Sequence, residues 1–168
     1  MALLLLLVVP GGLVAAFAFT GHAVGSLGRT GLRAAGRAVW LSSAAALVAA
    51  VAALLYTWGL LHVVAAVTET WEGGTESAPL PPCLTPGGEE RASRVVGHTV
   101  SYVPLGFVCE TSGGGSYTSD TVPAYVNPGV LVLALTAAGV AAGARARDAQ
   151  ARSARGAGGT AARRRRDG

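Results

Sequence analysis

Three long blocks without a charged side chain constrain this chain more than any other feature of its sequence. They run from Ala2 to Gly28, from Ala38 to Thr68 and from Thr121 to Ala144. Each block exceeds the roughly 20 apolar residues that an α-helix needs to cross a hydrocarbon core of about 30 Å. None shows the polar face of a helix on the surface of a soluble bundle. The blocks therefore predict three transmembrane helices, at about 3–25, 40–67 and 125–144.

The overall composition agrees with this prediction. Of the 168 residues, 51% are hydrophobic and 13% are charged, whereas soluble domains carry about 25% charged residues. All 13 basic residues are arginine, which together with the excess of Ala and Gly indicates a high-GC coding bias. The Ala-rich stretches are therefore in part a signature of the genome.

The first block has an alternative interpretation as a cleaved signal peptide. Such a peptide has a basic start, a short apolar core and a cleavage site flanked by small residues. Here the apolar stretch is longer, and the first basic residues, Arg29, Arg33 and Arg37, follow it. We expect a retained span, with cleavage as the open alternative.

The arginines are segregated along the chain, and their distribution predicts its orientation. The linker 28–38 and the tail 145–168 together hold 11 of the 13 arginines. The segment 68–124 keeps Arg91 and Arg94 beside seven acidic residues. Because short cytoplasmic loops are enriched in Lys and Arg, we expect the linker and the tail in the cytoplasm. The N-terminus and the 68–124 loop are then extracytoplasmic, in a multi-pass protein of the cell (plasma) membrane.

The predicted extracytoplasmic loop changes character along its length. Up to Gly88 it is rich in Gly, Pro and Glu, which is typical of an irregular linker. Short β-prone runs follow, at 95–103, 105–111 and 116–122. Ser112-Gly113-Gly114-Gly115 suits a hairpin connection between the last two runs. Pro104 cannot donate to a β-ladder, so we expect it to bend or break the first pairing.

Both cysteines of the chain, Cys83 and Cys109, lie in this loop. Thiols outside the cytoplasm are oxidised, so an even count in a small segment predicts a structural disulfide. The bond should contribute about 3–4 kcal/mol by the chain-entropy estimate. Redox or metal chemistry is the weaker alternative, because reactive dithiols are usually separated by only two intervening residues, in C-x-x-C.

Two sequence patterns in and after the loop carry a resemblance. The first is Tyr102-Val103-Pro104-Leu105 leading to Val108-Cys109, and the second is Val122-Pro123-Ala124-Tyr125-Val126-Asn127-Pro128. Together with the layout of the spans, they resemble uncharacterised small integral membrane proteins of high-GC actinobacteria. The resemblance covers roughly residues 80–130. It implies the location and topology described above and adds no activity.

Ionisable groups inside the membrane are the default place to look for transport or proton relay, because their burial in lipid is expensive. The predicted spans contain no Asp, Glu or Arg. Their two histidines, His22 and His62, are placed near opposite membrane faces, too far apart to share a proton or a metal. We therefore expect no catalytic residue, no cofactor and no metal site, and we do not expect an enzyme.

Glycine spacing in two spans favours helix association. Gly21 and Gly25 in the first span and Gly139 and Gly143 in the third have the G-x-x-x-G spacing that lets helix backbones approach closely. They predict helix packing and allow a homo-oligomer. The alternative is chance, because the chain contains 24 glycines.

The tail ends in a cluster of four arginines, Arg163, Arg164, Arg165 and Arg166. We expect them to contact anionic lipid headgroups, at about 1 kcal/mol for each charge near the surface. Nucleic-acid binding is not expected. The first part of the tail extends the third helix to about Ala154 in this prediction, and the end is disordered.

The predicted fold is a mainly α membrane protein with three transmembrane helices and a small disulfide-stapled, β-hairpin-like extracytoplasmic loop. The function that this layout favours is structural or accessory, with the segment 69–124 contacting another envelope protein. The alternative is a small oligomeric transporter or channel-type subunit, in which His62 would line a shared pathway.

Overall fold

The computed structural model describes residues 2–31, 35–72, 81–84 and 88–166, with the backbone alone for 2–4, 71–72 and 155–166. In chain order the elements are α1 (Ala2–Thr30), α2 (Arg37–Glu72), a 3₁₀ turn (Pro81–Cys83), α3 (Glu89–Ala92), β1 (Val95–Tyr102), β2 (Leu105–Thr111), β3 (Ser116–Thr118) and α4 (Val126–Arg166). The helices α1, α2 and α4 are long and apolar enough to cross a membrane. The structure is therefore mainly helical, with a small sheet between α3 and α4.

The three long helices extend beyond the bounds predicted from the sequence. Charged side chains bound an apolar block but do not end a helix, because Arg and Glu are good helix formers. α1 ends at Thr30, where Gly31 has a φ of +76° and its N–H donates to the Leu27 carbonyl at 2.9 Å. This left-handed residue is a common helix stop. α4 continues to Arg166, past Ala154 and through the part of the tail for which we expected disorder.

The chain forms two compact units. The sheet unit consists of Met1–Ala15 and Ala52–Leu131, and the helical unit of Ala16–Val51 and Val132–Gly168. The sheet unit contains the strands and the disulfide.

The sheet has the order β1-β2-β3 with both pairs antiparallel. Its first hairpin contradicts the expected effect of Pro104. Tyr102 pairs with Leu105, so Val103 and Pro104, joined by a cis peptide bond, form a two-residue turn. Since the proline lies in the turn, its missing N–H costs no ladder hydrogen bond, and the pairing continues from Tyr102 back to Val95 with one bulge.

The second hairpin follows the prediction at its turn and differs in the length of its last strand. The N–H of Thr111 donates to the Gly115 carbonyl at 2.8 Å, and Gly114 has a φ of +76°, a conformation that glycine adopts without strain. β3 ends at Thr118 instead of 122. The chain then turns towards α4.

The core of the sheet unit is built on the alternate residues of β2. Leu105, Phe107 and Cys109 are at most 2% exposed, as the two-residue period of a strand predicts for one buried face. They cluster with Leu60 and Val63 of α2 and with other apolar residues of the unit. Burying a Phe or Leu side chain contributes about 1.5–3 kcal/mol, so this cluster holds the sheet on the helices.

Two glycines that the G-x-x-x-G spacing did not select, Gly59 and Gly129, let neighbouring side chains approach the helix backbone closely in the sheet unit. A Cβ on Gly59 would lie 2.7 Å from Leu105 Cδ2 and 2.7 Å from Val126 Cγ1. A Cβ on Gly129 would lie 2.9 Å from Leu55 Cδ2. Both positions therefore exclude a larger residue unless their neighbours shift.

The four glycines that the G-x-x-x-G spacing selects make no contact with another helix at the Cβ position. A Cβ on Gly21, Gly139 or Gly143 would meet nothing within 4 Å, and one on Gly25 would meet Arg29 of the same helix. The predicted helix packing through them is therefore not present within the described chain. Association between copies through these glycines stays a prediction.

Two serines join α1 and α2 inside the helical unit. The hydroxyls of Ser26 and Ser43 are hydrogen bonded at 2.7 Å, and Ser43 is 1% exposed. Both serine hydroxyls also lie within hydrogen-bond distance of the Ala23 carbonyl, at 2.9 and 3.4 Å. Small residues and hydroxyl pairs of this kind hold apolar helices together when lipid provides no hydrophobic driving force between them.

Candidate functional site: the sheet and its anchor on the helices

The predicted disulfide between Cys83 and Cys109 is confirmed in the structure. The two Cα atoms are 6.1 Å apart, within the usual range for a disulfide, and both residues are fully buried. Cys83 ends the 3₁₀ turn and Cys109 lies in the central strand. The bond therefore fastens the segment before α3 to the middle of the sheet.

Tyr117 of β3 reinforces this connection. It is the register partner of Cys109, and its hydroxyl donates to the Cys83 carbonyl at 2.7 Å. The guanidinium of Arg91 on α3 lies 5.5 Å from the centre of the Tyr117 ring, within the range of a cation–π contact. Tyr117 thus connects its own strand, β3, to the disulfide segment and to the short helix α3.

Side chains from two helices hold the turn between β1 and β2. The Asn127 side chain accepts a hydrogen bond from the Leu105 N–H at 2.8 Å and donates one to the Leu105 carbonyl at 2.9 Å. The Tyr56 hydroxyl of α2 donates to the Tyr102 carbonyl at 2.9 Å. We call these four residues the hairpin anchor. Buried backbone groups need such partners, so the anchor ties the end of the hairpin to α2 and α4.

The sequence pattern contains Asn127 but signals nothing of this role. An Asn before a proline at a helix start is usually a capping or turn residue. Its partner Leu105 is 22 residues away, and no local pattern points to it. The same holds for Tyr56, which lies 46 residues from Tyr102.

The histidines of the sheet unit make aromatic contacts. His98 stacks on Phe107 with ring centres 5.0 Å apart and an interplanar angle of 14°. His62 lies edge-on to Trp58 at 5.1 Å, and its Nε2 atom is buried without a hydrogen-bond partner among the described residues. In the described part of the chain, no three His, Cys, Asp or Glu residues come close enough to hold a metal ion.

The edge of the sheet formed by β1 is exposed. β1 is an edge strand because the sheet order is β1-β2-β3, so its outer backbone groups have no strand partner in the described sheet. Val96 is 70% exposed and Val103 is 89% exposed, and Thr99 is exposed as well. We call these three residues and the outer edge of β1 the β1 surface. Exposed strand edges are the part of a sheet that pairs with other chains.

Charged residues near β1 add little rigidity of their own. Arg94 and Glu90 form a salt bridge of 2.6 Å, with side chains 63% and 86% exposed. Exposed pairs at this spacing contribute roughly 0.3–0.5 kcal/mol. The position of the sheet therefore depends on the disulfide, the core and the hairpin anchor.

Several residues that carried the sequence predictions lie outside the described part. They are Arg33, Glu76 and the side chains of Glu72, Arg155, Arg163, Arg164, Arg165 and Arg166. The backbone of the four terminal arginines belongs to the end of α4. Their contact with lipid headgroups stays a prediction.

No protein-family model, curated protein or solved structure matches the chain. The resemblance to small actinobacterial membrane proteins therefore also stays a prediction.

Proposed function

We propose that the chain is a multi-pass membrane protein of the plasma membrane with a structural or accessory role. Its three apolar helices cross the bilayer, with the N-terminus and the segment 69–124 outside and the C-terminal tail in the cytoplasm. Because the hairpin turn is bonded to Tyr56, the part of α2 that follows this residue lies outside with the sheet. The segment 69–124 presents the β1 surface to another envelope protein. The observation that carries the proposal is a sheet fixed by a disulfide and by helix side chains, in which the outer edge of β1 has no strand partner among the described residues.

The chemistry of the β1 surface supports an interaction role. A protein interface needs apolar side chains that become buried and polar groups that find partners. Val96 and Val103 supply exposed apolar area, and the outer edge of β1 supplies backbone donors and acceptors for an added strand. Because the hairpin anchor holds this strand in the free protein, little ordering entropy is lost on binding.

The orientation is supported by the segregation of the arginines and by the disulfide. Disulfides persist in oxidising compartments, so a buried bond at Cys83–Cys109 agrees with an extracytoplasmic loop. The 11 arginines of the linker and the tail support a cytoplasmic location for both segments.

Single cysteines at two exposed serines test the orientation. Ser112 lies in the turn after β2 and Ser153 in the C-terminal part of α4, and both are exposed. We expect a membrane-impermeant maleimide to label Ser112→Cys in intact cells and Ser153→Cys only after permeabilisation. The two variants make the same one-atom change, so they control for each other. Labelling of Ser153→Cys in intact cells would contradict the proposed topology.

Photo-crosslinking from the β1 surface tests the interaction. A benzophenone amino acid at Val96 should give a specific adduct with a second protein in intact cells. The same amino acid at Val132, an exposed valine of α4, serves as the matched control and should not give that adduct. Val96→Asp should abolish the adduct formed from a probe at Val103 while the disulfide remains intact on a non-reducing gel. An adduct that persists in Val96→Asp would show that the β1 surface is not the interface.

A further inference from the structure

The helical unit contains a cleft with polar groups at one end. The cleft has a volume of about 630 Å³ and is lined by residues of α1, α2 and α4. Cavities of roughly 300–1,000 Å³ are the usual size of small-molecule sites. Much of the lining is alanine, including Ala45 and Ala49 of α2 and Ala137 and Ala141 of α4, so small side chains leave the space open.

The polar lining residues lie at the same end of the cleft on each helix. On α4 they are Arg145 and Asp148, which follow the lining alanines. On α1 the polar residue is His22, the lining residue closest to the end of that helix, and on α2 it is Ser42, the one closest to its start. Three separate helices thus arrange an apolar body and a polar mouth. An occupant that matches this arrangement has an apolar part and a polar head.

The length of the cleft fits one leaflet of a bilayer. Its lining on α4 extends from Ala137 to Asp148, which is about 16 Å at a helical rise of about 1.5 Å per residue. Half of a hydrocarbon core is about 15 Å thick. A single phospholipid spans this distance.

The charges at the mouth select the head group. Arg145 and Asp148 are three residues apart, a spacing that places both on one helix face, and in the described part of the chain they form no salt bridge with each other. A cation and an anion side by side complement a head group that carries both signs. A guanidinium binds phosphate oxygens, and a carboxylate accepts hydrogen bonds from a primary ammonium group.

We propose that this cleft binds a zwitterionic phospholipid of the phosphatidylethanolamine type. Arg145 contacts the phosphate, Asp148 contacts the ammonium group, and an acyl chain fills the alanine-lined part. The inference rests on the membrane insertion proposed above and goes beyond the role of the β1 surface.

Titration of delipidated full-length protein in detergent, followed by native mass spectrometry, tests the proposal. The probes are phosphatidylethanolamine, phosphatidylcholine and phosphatidylglycerol with identical acyl chains. We expect phosphatidylethanolamine to bind about tenfold more tightly than phosphatidylcholine, because a quaternary ammonium cannot donate to Asp148 and a charge-assisted hydrogen bond is lost. Equal affinity for all three lipids, or tighter binding of phosphatidylglycerol, would overturn the proposal.

Variants separate the head group from the cleft. Asp148→Asn should remove the preference for phosphatidylethanolamine. Arg145→Gln should weaken the binding of all three lipids about tenfold. Ala141→Phe should fill the cleft and abolish binding. The controls are Arg147→Gln and Ala142→Phe, at exposed neighbours that do not line the cleft, and both should bind like the unchanged protein. Loss of binding in the controls as well would also overturn the proposal.

The two proposals fail in different experiments. If Ser112→Cys is not labelled in intact cells, or Ser153→Cys is labelled there, the proposed topology is overturned. The ratio of lipid affinities is unaffected by that result. If the loop is labelled in intact cells but the purified protein shows no preference among the three lipids, only the lipid site is overturned.

Discussion

Removing the disulfide with Cys83→Ala and Cys109→Ala together will accelerate chymotrypsin cleavage after Phe107 by about 300-fold in detergent. Phe107 is fully buried, so cleavage there requires the loop to open. The bond closes a loop with a sequence separation of 26 residues, for which the chain-entropy estimate is about 3.5 kcal/mol. Since about 1.4 kcal/mol is a factor of ten and proteolysis follows the open population, the rate should rise by that factor.

Single substitutions are the matched controls for this prediction. Cys83→Ala and Cys109→Ala should each accelerate cleavage nearly as much as the double variant, because either one removes the same bond. Arg94→Ala removes only an exposed salt bridge and should change the rate less than about threefold. A double variant that is cleaved no faster than Arg94→Ala would show that the core and the hairpin anchor hold the loop without the disulfide.

The elements that the sequence predicted well are those defined by a local pattern. The three long helices follow from blocks of apolar residues, and β1 and β2 follow from β-prone runs bounded by turn residues. The Cys83–Cys109 pairing followed because two cysteines allow only one intramolecular bond. Each of these predictions needs information from a few neighbouring residues or from a count.

Pro104 shows how a correct local rule led to a wrong expectation. A proline inside a ladder removes a hydrogen bond, but the rule does not say where the ladder turns. The register places Tyr102 opposite Leu105, so the proline lies in the turn and interrupts nothing. The position of the turn depends on the pairing of two strands, which the run of residues alone does not specify.

The glycines show the same limit at the level of helix packing. Spacing selected Gly21, Gly25, Gly139 and Gly143, whereas Gly59 is the position where a Cβ would overlap Leu105 and Val126. Spacing identifies residues on one face of a helix. Which face meets a neighbour depends on the rotation of each helix and on the sheet packed against it, and neither is encoded within four residues.

The hydrogen bonds between Asn127 and Leu105 depend on such non-local packing. Their removal is the second change for which we expect a large effect on stability. Asn127→Leu keeps a side chain of similar size and removes both the acceptor for the Leu105 N–H and the donor to the Leu105 carbonyl. Leu105 is 2% exposed, so water does not readily replace these partners, and unpaired buried groups cost about 1–3 kcal/mol each. We expect a total loss of about 3 kcal/mol.

Graded variants make the test of the anchor specific. Asn127→Asp keeps an acceptor for the Leu105 N–H but turns a second carboxylate oxygen towards the Leu105 carbonyl, so two acceptors face each other and the loss should be at least as large as in Asn127→Leu. Tyr56→Phe, which removes one hydroxyl, should cost about 1 kcal/mol. Hydrogen exchange at the Leu105 amide measures the effect directly. The amide should lose protection in Asn127→Leu by about 100-fold and retain most of it in Tyr56→Phe. Unchanged protection in Asn127→Leu would mean that the strand is held by its own ladder and by the core, and that the helix side chains only follow its position.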